Sequence, residues 1–239
     1  MYQITEIDKN LAVNATVCEN GIVFRNSLSS PFSLCGLLPV TPFLRLPLET
    51  AQNTNSGVEA LCRNTAGGRL RFKTDSKRIV LRVCYDGICH MSHMPLTGST
   101  GFDMYIYSNG GYSYAGSFIP PTDCKDDFNS EITLPDNSMR DITINFPLYN
   151  SVKTVFIGLE ENAKLLKTDG YINEKPIVYY GSSITQGGCA SRPGNSYQAL
   201  ISRRFNLDYF NFGFSGSARG EKAMAEYIAD LPMSLFFLD

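Results

Sequence analysis

The sequence is short of several features that would mark a binding class outright. It has no run of lysine or arginine, and its formal net charge is −2. Nucleic acid and acidic membrane surfaces are therefore poor partners for it. No apolar stretch approaches the ~18 residues that a membrane-crossing helix needs. The opening residues, MYQITEIDKNLAVNATV, lack a basic region followed by an apolar one, so no secretion signal is read there. Phosphate loops are missing too: GSSITQGG has no Gly-Lys-Ser/Thr, and GFSGSARG lacks G-x-G-x-x-G spacing. No cofactor is implied.

Cysteine is present but unpatterned. The seven residues Cys18, Cys35, Cys62, Cys84, Cys89, Cys124 and Cys189 include no C-x-x-C pair, and 239 residues are too many to need disulfide staples. They read as ordinary thiols in a reducing, cytoplasmic setting. The only histidines are His90 and His93, close to Cys84 and Cys89. Those are zinc-ligand types, but the two cysteines are five apart and no second pair has finger spacing, so no metal site is expected.

What is present falls into two grammars. Up to about residue 160 the apolar period is two. Ile79, Leu81, Val83 and Tyr85 alternate with Arg78 and Arg82, and Ile142, Ile144 and Phe146 alternate with polar neighbours. Further strands are expected at 21–26, 58–62, 69–73, 102–107, 112–119 and 152–159, with Gly, Asn and Pro punctuation between them and no convincing helix. That pattern predicts an antiparallel, jelly-roll-like β-sandwich over residues 1–165.

After a polar connection over Glu160–Asn173 the pattern changes. Pro176–Tyr180 is a continuous apolar run, as in a strand buried on both faces. Tyr197, Leu200, Ile201 and Phe205 follow at helical spacing, with Asn195 or Ser196 as cap. Leu207–Phe212 reads as a second strand. Met224, Tyr227, Ile228 and Leu231 form a second helical stripe ended by Pro232, and Ser234–Leu238 a third strand. Residues 171–239 are thus β-α-β-α-β, the opening half of a doubly wound parallel sheet. Three strands and two helices leave an edge and part of a face bare, and the last residues, SLFFLD, are strand-like. A fragment of a longer protein is expected, with edge pairing into a homo-oligomer.

The chemistry concentrates at IVYYGSSITQGG, residues 177–188. A strand running into Gly181 and a turn of small hydroxyl residues can lift a serine clear of a sheet, with backbone N–H groups at hand for an oxyanion. The second strand delivers NFGFSGSARGE, residues 211–221, to the same sheet edge, where Gly216 offers an N–H with no side chain in the way. Either loop alone reads equally well as a Ser/Gly-rich turn. Two on successive strand ends point to a site.

These segments resemble blocks I and II of the SGNH hydrolases, also called GDSL esterases. The resemblance implies a flavodoxin-like α/β domain with Ser183 as nucleophile and the N–H groups of Ser183 and Gly216 as oxyanion donors. Ser182 stands where most of the family has Asp. One branch carries an N-terminal β-sandwich with a Gly-x-Asp-Leu-Tyr signature, and Gly101-Phe102-Asp103-Met104-Tyr105 is similar to it, with Met for Leu. Arg45-Leu46-Pro47, MSHMP (91–95), PLYN (147–150) and CASRPG (189–194) resemble the same branch. The resemblance also implies an oxyanion Asn and an Asp-x-x-His pair beyond Asp239.

The expectation is a serine esterase for small acyl groups, acetyl foremost, on carbohydrate or other small-molecule alcohols. This stretch alone would be nearly inactive for want of a base. The alternative is a non-catalytic carbohydrate- or protein-binding module. Arg192 is a candidate for a polar substrate or for pairing with Glu221; the plainer reading is a loop arginine at the domain junction. The MSHMP loop is expected to lean over Ser183.

Overall fold

The computed structural model describes residues 17–239; the N-terminal stretch read for a leader, residues 1–16, lies outside them. In chain order the first part holds β1 (Val17–Glu19), β2 (Ile22–Asn26), β3 (Ser33–Cys35), α1 (Leu48–Thr54), α2 (Ser56–Leu61), β4 (Arg69–Thr74) and β5 (Arg78–Tyr85). It continues through α3 (Leu96–Ser99), β6 (Phe102–Ser108), β7 (Gly111–Phe118), β8 (Asp127–Thr133), β9 (Arg140–Asn145), β10 (Val152–Glu160) and β11 (Leu165–Leu166). The second part is β12 (Ile177–Gly181), α4 (Ser183–Gln186), α5 (Tyr197–Phe205), β13 (Tyr209–Gly213), α6 (Lys222–Ala229) and β14 (Leu235–Leu238).

Two antiparallel sheets form the first part, in the orders β1-β2-β10-β5-β8 and β11-β4-β9-β6-β7, with β3 also on β4. The period-two pattern sorts their faces. Ile79, Leu81, Val83 and Tyr85 are sealed against Leu70, Phe72, Ile142 and Ile144 of the facing sheet, while Arg78 and Arg82 reach out to Glu131 and Glu19. Each such fully buried aliphatic or aromatic side chain contributes about 1.5–3 kcal/mol. The second part is a parallel sheet, β13-β12-β14, with β12 central and buried throughout. The chain is thus an antiparallel sandwich followed by a parallel β-α portion, as its two grammars predict.

Three local expectations fail. Residues 58–62 are not a strand: the Asn55 side chain accepts the Val58 N–H at 2.9 Å and starts α2 there. The first 160 residues also hold short helices, α1, α2 and α3, whose few turns are too brief to show periodicity. Strand β8 is not among the expected strands, because Phe128 and Ile132 are its only apolar residues.

The helices answer the bare-face problem. Leu46, Ala51, Val58 and Cys62 belong to the second core, packed with Val178, Tyr180, Phe212, Phe214, Met224 and Ile228. So α1 and α2, supplied from the first part of the sequence, share with α6 the covering of one face of the parallel sheet. The opposite face packs Tyr179 and Tyr209 with Tyr197 and Leu207 around α5. Among the described residues no strand covers the β14 edge, and all four residues of β14 are exposed.

Buried arginines join the two parts. Arg45, 1 % exposed, donates to the carbonyls of Asn211 at 3.1 Å, Gly213 at 2.5 Å and Leu61 at 2.7 Å, and its guanidinium lies over the Phe214 ring. Arg69 on β4 bonds Asp208, the Tyr209 carbonyl and the Tyr171 hydroxyl. A planar fork satisfying several carbonyls at once fixes orientation as well as contact.

Candidate active site

The first loop follows from β12. The strand ends at Gly181, and Ser182 becomes the N-cap of α4, its Oγ accepting the Ile184 N–H at 3.3 Å. Ser183 is the first helical residue, so its own N–H has no acceptor within the helix. Its side chain is partly exposed, and no hydrogen bond to its hydroxyl is made among the described residues. The next residue, Ile184, is 66 % exposed and places an apolar surface beside it.

The second loop comes up next to it. Parallel pairing sets Gly181 opposite Gly213, and the Phe214 N–H donates to the Gly181 carbonyl at 2.9 Å. Ser183 and Gly216 therefore lie two and three residues beyond the same rung. Close approach is possible only because residue 213 is glycine: a Cβ there would sit 2.0 Å from the Gln186 nitrogen. Gly216 itself has φ +67°, is exposed, and has no atom within 4 Å of where a Cβ would stand. Among the described residues its N–H meets no acceptor. The geometry thus offers a free hydroxyl on one turn and unengaged N–H groups on both.

Gln186 ties these turns to the sandwich. Fully buried, it accepts the Ser215 N–H at 3.0 Å through Oε1 and donates to the Leu148 carbonyl at 3.1 Å through Nε2. Beneath it the Thr185 carbonyl accepts from Gln198 at 2.7 Å and from Asn211 at 2.8 Å. The Thr185 hydroxyl donates to Asp239 at 2.8 Å.

Tyr149, from the sandwich, is a residue that sequence reasoning missed as part of the site. Its hydroxyl donates to the Ser183 carbonyl at 3.4 Å and lies beside the Ser215 hydroxyl. Burial pushes the phenol's pKa up, and the Ser215 hydroxyl and Arg45 oppose that. The only sequence signal was its place in PLYN.

The MSHMP loop is one side chain removed from Ser183. Met91 and Met94 pack with Cys89, Leu148, Tyr149 and Ala190, so the loop backs the tyrosine that touches the serine's backbone. Neither His90 nor His93 bonds Ser183, and among the described residues no group of three or more His, Cys, Asp or Glu could hold a metal ion.

Arg192 is engaged at the junction. Its Nε donates to the Tyr105 hydroxyl at 3.2 Å and lies 3.6 Å from Asp103, with the guanidinium over Tyr114. It does not pair with Glu221, which accepts instead from Asn55, the Arg219 N–H and the Tyr180 hydroxyl. Asp103, wholly buried, accepts from Asn145 at 2.7 Å and from the Gly194 N–H at 2.8 Å. Burial pushes its carboxyl up to about 6, against the pull of those bonds and of Arg203 and Arg192.

Comparison with known proteins identifies the family. Residues 23–165 match the GxDLY family, described as the N-terminus of the SGNH hydrolase-type esterases, and residues 174–239 match the GDSL-like lipase/acylhydrolase family. No curated protein matches the sequence. A putative GDSL-like lipase from Bacteroides ovatus is similar at 27 % identity and TM-score 0.83, over 91 % of this chain and 64 % of its own. The salicylyl-acyltransferase SsfX3 of a tetracycline biosynthetic pathway shares the fold at 22 % identity and TM-score 0.70, over 92 % and 62 %. A family two carbohydrate esterase from Cellvibrio japonicus shares it at 12 % identity and TM-score 0.51, over 82 % and 53 %. The chain thus spans less than two thirds of the length of these structures. The chain belongs to the SGNH, or GDSL-like lipase/acylhydrolase, family, in the branch with a GxDLY N-terminal domain.

Proposed function

We propose that the protein is a serine esterase that removes small acyl groups, acetyl foremost, from carbohydrate alcohols. The observation that carries this reading is the pairing of the free Ser183 hydroxyl with the acceptor-less Gly216 N–H on successive strand ends. Ser183 Oγ attacks the ester carbonyl while its proton passes to a general base. The N–H groups of Ser183 and Gly216 receive the negative charge that develops on the carbonyl oxygen. Collapse expels the alcohol, and water then attacks the acyl-serine, returning the hydroxyl and releasing the acid. The carbohydrate preference draws support from the likeness to a family two carbohydrate esterase.

A serine hydroxyl without a base is a weak nucleophile at neutral pH. Since no base bonds Ser183 among the described residues, residues 1–239 by themselves are expected to turn over p-nitrophenyl acetate no faster than their Ser183→Ala variant. Substantial turnover lost on that substitution would overturn this expectation of inactivity. A longer polypeptide, carrying the Asn and Asp-x-x-His that the family pattern implies, should cleave acetyl sugars in a Ser183-dependent manner. Inactivity there would favour a non-catalytic carbohydrate- or protein-binding module, a reading to which the unpartnered Ser183 hydroxyl also lends itself.

A further inference from the structure

On the outer face of the sheet β11-β4-β9-β6-β7, α5 lays Arg203 over the Tyr105 ring. Strand pairing sets Thr143 of β9 between Tyr105 of β6 and Arg71 of β4. Arg71 is only 2 % exposed, yet among the described residues its guanidinium makes one hydrogen bond, from Nη2 to the Tyr112 hydroxyl at 3.2 Å. One face of that guanidinium covers the Tyr171 ring. Its Nε and Nη1 are buried without an acceptor among the described residues. So are Nη1 of Arg203 and the hydroxyl of Thr143, which lies beside that of Tyr112. Tyr112, Thr143, Tyr171 and Arg203 line one small cavity of about 10 Å³. Arg71 borders it through three of those four residues.

All of these groups donate, and a guanidinium cannot accept, so the ligand that completes them is an acceptor. Charge makes it an anion. Arg69, Arg71, Arg192 and Arg203 converge on this junction, against the carboxylates of Asp103, Asp141 and Asp208. Arg69 holds Asp208, and Arg192 stands 3.6 Å from Asp103. Arg71 stands 4.0 Å from Asp141, whose two oxygens both accept from Thr168. Among the described residues Arg203 has no carboxylate within salt-bridge distance. One positive charge is left over where burial makes an uncompensated charge expensive. A water would satisfy two donors at most and leave that charge standing. The cavity has room for about one small sphere, which excludes sulfate, phosphate and carboxylic acids.

We propose that this cavity binds a single halide ion, chloride under ordinary conditions, held by Thr143 and Arg203 beside Arg71, and that the ion fastens α5 to the sandwich. The site is independent of the Ser183 chemistry and is tested on the chain itself. Thermal melts are recorded as sodium chloride replaces sodium gluconate, an anion too large for the cavity, at constant ionic strength. A saturable rise of the midpoint with chloride is expected, and bromide should reproduce it. Thr143→Val keeps the shape and removes one donor, so half-saturation should need about tenfold more chloride. Arg203→Gln removes the surplus charge and should abolish the response; circular dichroism checks that both variants fold. Crystals grown in sodium bromide should show one anomalous bromine peak in the cavity, within hydrogen-bond reach of Thr143 Oγ1 and Arg203 Nη1. A midpoint indifferent to chloride overturns the proposal. So does a wild-type response retained unchanged in both variants, or a cavity holding water without a bromine peak.

Discussion

Gln186 receives the backbone N–H of Ser215 at 3.0 Å, and so fixes the turn that carries Gly216 against the helix that begins at Ser183. The other end of the same amide holds the Leu148 carbonyl. One buried side chain thereby sets the spacing of both halves of the candidate site and anchors them to the sandwich.

Replacing Gln186 by Leu keeps the volume and removes both bonds. A buried N–H and a buried carbonyl would be left unsatisfied, at about 1–3 kcal/mol each. Gln186→Leu should lower the stability to urea by about 2–6 kcal/mol. At neutral pH Gln186→Glu would bury a carboxylate with one oxygen facing the Leu148 carbonyl and should lose at least as much. A Gln186→Leu variant as stable as the wild type would show that neither bond contributes.

The two loop glycines should respond differently to alanine. At Gly213 a Cβ meets backbone 2.0 Å away, so α4 must shift; the cost falls at the upper end of overpacking, about 3 kcal/mol. At Gly216 there is space, and only the left-handed φ opposes alanine, at about 1–2 kcal/mol. Thermal melts of both variants decide the order.

Asp103 makes stability pH-dependent in a specific direction. Its folded pKa of about 6 exceeds its ordinary value of 3.8, so between about pH 4 and 6 the folded state binds more protons than the unfolded one. Its contribution is fully present below about pH 4 and is lost as pH rises through 6, about 3 kcal/mol in all. Urea midpoints measured from pH 4 to 7 should carry this falling component in the wild type, and the Asp103→Asn variant should lack it. An identical pH profile for the two proteins would remove Asp103 as its source.

The exposed edge at β14 should make the chain self-associate. Leu235, Phe236, Phe237 and Leu238 are each at least 42 % exposed, and among the described residues β14 pairs only with β12. Sedimentation velocity should show mass rising with concentration, and Phe236→Lys with Leu238→Lys should return it toward the monomer. A wild-type chain that stays monomeric throughout would show that its edge is protected.

The sequence by itself determined the two grammars, the strand-turn-serine at Gly181–Ser183 and the matching loop at Gly216, because period, turn residues and small hydroxyl side chains are local properties. The family likeness, running through several ordered motifs, came from the same source. Tertiary structure decided what no local pattern encodes. Residues 46–62, read as sandwich, cover the parallel sheet because their apolar positions find Val178 and Phe212 only once the chain has folded back. Arg192 went to Tyr105 and Asp103 rather than to Glu221, because docking sets a buried carboxylate within its reach. Tyr149 became part of the candidate site by a contact spanning 34 residues of sequence, a separation at which spacing in the chain says nothing about distance in space.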